Sequence, residues 1–275
     1  MIRGISRARP GAGARSGRRL QVFRGCRGVT EMPPAGPPVR SRVRAPAPSG
    51  SPQRGDVLLL AALLAAVLCV WAFVALADRV TEGQTQRLDE RILLSMRAGS
   101  PSRPRGPAFL PGAMRDLTAL GSPSVLTLFV LAVAGFLVVR RQYHALGLLL
   151  AATVGGVLLN ALLKHVFARP RPPLAFHLTE VRSMSFPSGH AMESAIIYLT
   201  MAALLARLVR PRVLQLYFIG LAFLLTLLVG VSRVYLGVHY PTDVLAGWTA
   251  GLAWSLLCWM VARYLQQRGK VEPED

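Results

Sequence analysis

The chain has 275 residues, of which 52% are hydrophobic and only 16% charged, against about a quarter charged in an ordinary soluble domain. That balance places it among membrane proteins and excludes a conventional soluble enzyme. Its net charge of +19 resembles that of a nucleic-acid binder, but twelve arginines and a single acid, Glu31, are crowded into residues 1–55.

That first stretch is also rich in Pro, Gly, Ser and Ala. It has too little apolar surface to fold alone, which predicts a disordered basic tail on the cytoplasmic side, touching anionic lipid. Nucleic-acid recognition needs a folded or aromatic-bearing basic surface, and Phe23 is the tail's only aromatic residue, so no nucleic-acid partner is expected. A transit peptide shares this composition, and a start at Met32 would omit its first part. Cys26, Cys69 and Cys258 have neither metal-ligand nor disulfide spacing and read as small apolar fillers.

Six apolar runs long enough to cross a bilayer follow. The first is "VLLLAALLAAVLCVWAFVALA" at 57–77, between Asp56 and Asp78. Its closing Ala75-Leu76-Ala77 resembles a signal-peptidase site, but the run exceeds a normal signal core and predicts an uncleaved anchor. The second is predicted at 119–139, before Arg140 and Arg141, and the third at 144–163, before Lys164. The fourth covers 189–206, the fifth 213–231 and the sixth 244–262. The expected fold is therefore an all-α bundle of six transmembrane helices. Its domains are a basic tail over 1–55, a membrane domain over 56–264 and a short cytoplasmic tail over 265–275.

The positive-inside rule puts both termini in the cytoplasm, with Arg140, Arg141, Arg207, Arg210, Arg212, Arg263, Arg268 and Lys270 on that side. Segments 78–118, 164–188 and 232–243 then share the outer face. Within 78–118, "TQRLDERILLSMRA" predicts an amphipathic helix on the membrane surface.

Three polar groups meet at the outer ends of spans three to six. "KHVFARPRP" contributes Lys164 and Arg171, with Pro170, Pro172 and Pro173 stiffening the turn. "FPSGH" contributes Ser188 as a helix N-cap, Gly189 for close backbone approach, and His190 in the first turn, where free N–H groups receive anions. "SRVYLGVHYPTD" contributes Ser232, Arg233, His239 and Asp243. His239 and Asp243 are four apart, so the carboxylate can orient the imidazole as in nucleophilic sites, or serve only as a helix cap.

Three cations, an N-terminal cradle and two histidines suit phosphoryl transfer without a metal. A metal phosphatase needs a carboxylate cluster, and the outer loops near these motifs offer mainly Glu180 and Asp243. Glu193, one turn beyond His190, either tunes the site or pairs with a neighbouring polar group. Asn160 predicts an interhelical hydrogen bond, while His165 and His177 read as loop histidines.

The pattern Lys-x6-Arg-Pro, Pro-Ser-Gly-His, Ser-Arg-x5-His-x3-Asp, at Lys164–Pro172, Pro187–His190 and Ser232–Asp243, closely resembles the type 2 phosphatidic acid phosphatase family of integral-membrane lipid phosphatases. "RDLTALGS" at 115–122 resembles a stretch of its bacterial members. The resemblance implies catalytic His239, attacking phosphorus to form a phosphohistidine, with Asp243 orienting it and His190 as general acid. It further implies phosphate binding by Lys164, Arg171, Ser188, Gly189 and Arg233, and no cofactor or metal.

Implied substrates are lipid phosphates or diphosphates, such as undecaprenyl pyrophosphate, phosphatidate, phosphatidylglycerol phosphate or lipid A phosphates. Implied partners are this substrate and membrane lipids, with no obligate protein partner. A phosphotransferase, or a non-catalytic lipid transporter, would use the same scaffold. Vanadium-dependent haloperoxidases share the motifs but are soluble. The implied location is a bacterial inner membrane, with the site facing outward.

Overall fold

The computed structural model describes residues 54–181 and 183–267. The tail over 1–53 with Cys26, and the end of the chain from 268, lie outside the described residues, so their expected roles are not addressed by the fold. Eight α-helices account for most of the described part: α1 (Arg54–Thr81), α2 (Gln86–Ser95), α3 (Leu110–Ala119), α4 (Pro123–Val139), α5 (Tyr143–Phe167), α6 (Gly189–Leu208), α7 (Arg212–Tyr235) and α8 (Pro241–Gln267).

Five of these, α1, α5, α6, α7 and α8, are each long and apolar enough to cross a membrane. The bent pair α3 and α4 supplies a sixth crossing if taken together. α1, α4, α5 and α7 turn large apolar side chains outward, with Leu58 61%, Trp71 68% and Leu128 67% exposed. Apolar surface on that scale is stable against lipid and not against water.

The expected second span is the one most altered. Pro123 sits at the first helical position after an extended Ser122, whose hydroxyl accepts from the Val125 N–H. A new helix therefore starts there, and α3 joins it at 44°. α4 alone has 17 residues, about 25 Å at 1.5 Å per residue, a little short of a full crossing.

α6 lies at the centre and is buried over most of its length. Small residues let its neighbours close in: a Cβ on Gly247 of α8 would lie 2.7 Å from the Ser188 carbonyl oxygen, and one on Gly251 2.7 Å from that of Met192. This Gly-x3-Gly stripe brings α8 against the start of α6, the close-approach device of membrane helices. Phe186 is fully buried between Phe73 and Phe167, with ring centroids 5.9 and 5.0 Å away. That aromatic cluster pins the segment entering α6 to α1 and to the end of α5.

Candidate active site

The C-terminal ends of α5 and α7 and the N-terminal ends of α6 and α8 converge on one end of the bundle. α5 continues past the expected stop, so Lys164 and His165 lie in its last turn rather than in a loop. Ala168 then takes a left-handed conformation, φ 41°, and Pro170 prevents further helix. α7 likewise runs on to Tyr235, placing Ser232 and Arg233 on helix, not in the outer loop. Their backbone bonds are satisfied internally, so the helix carries a charge to its buried end without exposing peptide groups.

A cavity of about 190 Å³ is lined by Lys164, Arg171, Gly189, His190, Arg233 and His239, with Asn160, Glu193 and Pro123 completing much of the rest. Among the described residues no carboxylate lies within ion-pair distance of Lys164, Arg171 or Arg233. Lys164 donates to the Met184 carbonyl oxygen at 2.6 Å. Arg233, 3% exposed, donates from Nη1 to Thr118 Oγ1 at 3.0 Å, while its Nε has no partner. Thr118 gives the "RDLTALGS" stretch a structural role: it holds this guanidinium in place. A buried cation with an unmet donor beside a cavity is a site for an anionic oxygen.

Gly189 keeps the cavity open, since a Cβ there would lie 2.8 Å from Asn160 Nδ2. Asn160 itself donates to Glu193 Oε1 at 3.0 Å, the interhelical bond expected of it. Ser188 occupies the N-cap position of α6 with extended backbone, but its hydroxyl caps nothing; it is buried without a partner and does not line the cavity. Its N–H donates instead to the Asp243 carbonyl oxygen at 2.9 Å, tying the starts of α6 and α8 together.

His239 is held between two opposed groups. Arg171 Nη1 lies 3.1 Å from His239 Nε2. A guanidinium only donates, so Nε2 presents its lone pair and the ring proton resides on Nδ1. Nδ1 lies 3.5 Å from Asp243 Oδ2. Burial pulls His239 down to about 3, against the opposing pull of Asp243, so the ring is neutral at physiological pH.

Asp243 is also a helix cap: Oδ2 accepts from the Tyr240 N–H at 2.9 Å and from the Ser185 hydroxyl. One carboxylate thus both caps the start of α8 and faces the His239 ring. Arg171 spends its other donors on the Ser183 and Val238 carbonyl oxygens, 2.6 and 2.5 Å away, and on the Ser183 hydroxyl at 3.1 Å. Burial lowers its pKa from the usual arginine value.

Sequence reasoning missed Arg169, Asp89 and Ser185. Arg169 donates to Asp243 Oδ1 at 2.6 Å and to Asp89 Oδ2 at 2.9 Å, with its guanidinium 4.3 Å from the Tyr240 ring centroid. Burial would lower its pKa, but the two carboxylates outweigh that and raise it. Asp89 lies on the amphipathic α2 but is fully buried. His177 is in a loop as expected, with Nε2 2.9 Å from the Pro172 carbonyl oxygen.

The fold and cavity define a polytopic membrane protein with a cation-lined cavity at the helix ends. The chain belongs to the PAP2 superfamily, whose pattern matches residues 144–267, and is a membrane lipid phosphatase, a hydrolase of that family. It is 37% identical over 184 residues to phosphatidylglycerophosphatase B of Bacillus subtilis, covering 66% of this chain and 86% of that one. It is 30% identical over 125 residues to an undecaprenyl-diphosphatase of Sulfolobus acidocaldarius, covering 43% of this chain and 56% of that protein. The crystal structure of a transmembrane PAP2-type phosphatidylglycerolphosphate phosphatase from Bacillus subtilis superposes with a TM-score of 0.66 at 31% identity, covering 74% of this chain and 98% of that one.

Proposed function

We propose that this phosphatase hydrolyses the phosphomonoester of a glycerophospholipid through a phosphohistidine on His239. The observation that carries the reading is the placement of His239, whose Nε2 faces a cation-lined cavity 3.1 Å from Arg171 with Asp243 behind Nδ1. Nε2 attacks phosphorus, an N–P bond forms and the ester P–O bond breaks, while His190, which takes up a proton together with the anionic phosphate, gives that proton to the leaving oxygen. Neutral His190 then takes a proton from water, whose oxygen attacks phosphorus. The P–N bond breaks and its electron pair returns to Nε2, freeing inorganic phosphate.

Lys164, Arg171 and Arg233 hold the phosphoryl oxygens together with the N–H groups at the start of α6. Ser188 acts from behind, through its backbone. Cations occupy the place that a metal phosphatase gives to metal ions, so the reaction proceeds without one. The phosphomonoester class is supported by the likeness to phosphatidylglycerophosphatase B over most of that protein. A polyprenyl diphosphate is the second reading, supported by the shorter match to an undecaprenyl-diphosphatase.

The same reading makes residues 56–264 the phosphatase domain, between cytoplasmic tails over 1–55 and 265–275. It sets the site at the outer face of a bacterial inner membrane. Arg140, Arg141, Arg207, Arg210 and Arg212, at the bundle end away from the site, support that orientation.

The test is phosphate release by detergent-purified protein and its His239→Ala variant, on lipid monophosphates and diphosphates with EDTA present. Release by the wild type alone is expected, fastest on a monophosphate. Equal release by both proteins removes His239 from the mechanism, and loss of release in EDTA removes the metal-free reading.

A further inference from the structure

We propose that Asp89 and Arg169 are positioning residues for the phosphatase reaction, with Asp89 holding Arg169 so that Asp243 keeps its negative charge for His239. The inference rests on the reading of His239 as nucleophile.

Asp89 and Asp243 are both fully buried, and among the described residues the one cation paired with both is Arg169, whose side chain is 10% exposed. Arg169 divides its two terminal nitrogens: Nη1 serves Asp243 Oδ1 and Thr242 Oγ1, and Nη2 serves Asp89 Oδ2 and Gln86 Oε1. Had Arg169 belonged to Asp243 alone, the two charges would cancel, and the imidazole would face a neutral pair. With Asp89 present, the three groups sum to one negative charge behind Nδ1. When Nε2 takes a phosphoryl group, the ring becomes cationic, and that residual charge is what stabilises it.

Asp89 has a second contact, and it supplies the competing explanation. Its Oδ1 accepts from the Thr242 N–H at 3.1 Å and its Oδ2 from the Thr242 hydroxyl at 2.6 Å, so it also caps the start of α8 from another helix. Asn keeps one acceptor oxygen for the Thr242 N–H, so Asp89→Asn retains that cap bond and removes the charge together with the second acceptor that Oδ2 offers Arg169 and the Thr242 hydroxyl.

The experiment traps the phosphoenzyme by rapid mixing of full-length protein with radiolabelled lipid phosphate and alkaline quench. It uses wild type, Asp89→Asn, Arg169→Gln, the double variant and His239→Gln. The expected result is a rate constant for phosphoenzyme formation about tenfold lower in Asp89→Asn, in line with weakening one charge-assisted hydrogen bond. KM stays near wild type, while the thermal midpoint falls without loss of the fold, as removal of one charge from a buried pair requires. The double variant is expected to be no slower than Arg169→Gln alone, because the two act in one chain.

A wild-type rate constant in Asp89→Asn overturns the inference. So does a reduced amplitude with unchanged rate constant, or loss of all folded protein, since either means a purely structural role. Absence of any His239-dependent phosphoenzyme in the wild type overturns the nucleophile reading instead, and the two failures are thereby distinct.

Discussion

Arg171 Nη1 sits 3.1 Å from His239 Nε2, so a cation of the cavity rests on the nitrogen proposed to attack phosphorus. The other guanidinium donors are already met by Ser183, Met184 and Val238. With His239 as the proposed nucleophile, an incoming phosphate has to win Arg171 from the imidazole and so uncovers the lone pair, which makes substrate binding and nucleophile release one exchange.

Arg171→Lys keeps the charge but cannot bridge a phosphoryl oxygen and the loop carbonyl oxygens at once. We expect kcat/KM to fall about 10²-fold or more, the cost typical of losing one transition-state donor. Steady-state kinetics on a lipid monophosphate check this; a loss confined to KM would mean that Arg171 only gathers substrate.

His190 as general acid makes a leaving-group prediction. His190→Ala should lose about 10²- to 10⁴-fold on an alkyl phosphate, whose alkoxide needs a proton. On an aryl phosphate with a stable phenolate the loss should be far smaller. Equal losses on both would remove His190 from proton transfer.

The pH dependence follows from His239, whose pKa burial lowers to about 3 from an unfolded value of about 6.5. The native state stays unprotonated where the unfolded state gains a proton. This contribution to stability is thus fully present above about pH 6.5 and is lost as pH falls toward 3. Thermal unfolding of wild type and His239→Gln should show the wild type losing more of its midpoint over that window. Parallel curves would mean that the ring is not held neutral.

Gly247 tests the packing that places the site. A Cβ there would lie 2.7 Å from the Ser188 carbonyl oxygen and 3.0 Å from Ala191 Cβ, both rigid. Gly247→Ala should destabilise by about 1–3 kcal/mol, as overpacking of a close interface does. It should also slow catalysis, because it pushes the start of α6 away from α8. A variant with an unchanged thermal midpoint would show that the two helices can part freely.

Much of this architecture is legible along the chain. Apolar runs of span length have only the bilayer to bury them, so five crossings and the approximate place of the sixth follow from composition and period. Lys164, Arg171, His190, Arg233 and His239 stand out because each is polar at the edge of such a run, and Gly189 because it opens a helix beside one of them; the fold gathers all six around one cavity. Helix ends were less accurate. The tertiary structure gives these cations neutral oxygens in place, the Met184 carbonyl for Lys164 and the Thr118 hydroxyl for Arg233, so α5 and α7 carry them inside their last turns.

Composition and motif spacing by themselves determined a membrane chain, its spans and a set of cations and histidines suited to phosphate. Only tertiary structure decided what stands behind them. Asp89 lies beside Glu90 and Arg91 on an amphipathic helix and reads as one more surface charge, yet it is fully buried. Arg169, two residues from Arg171 in the same proline-bounded turn, faces away from the cavity into Asp89 and Asp243. These contacts join residues 80 and 74 positions apart. No local rule of period or propensity reports on them, because whether a charge is solvated or paired depends on what the rest of the chain lays over it.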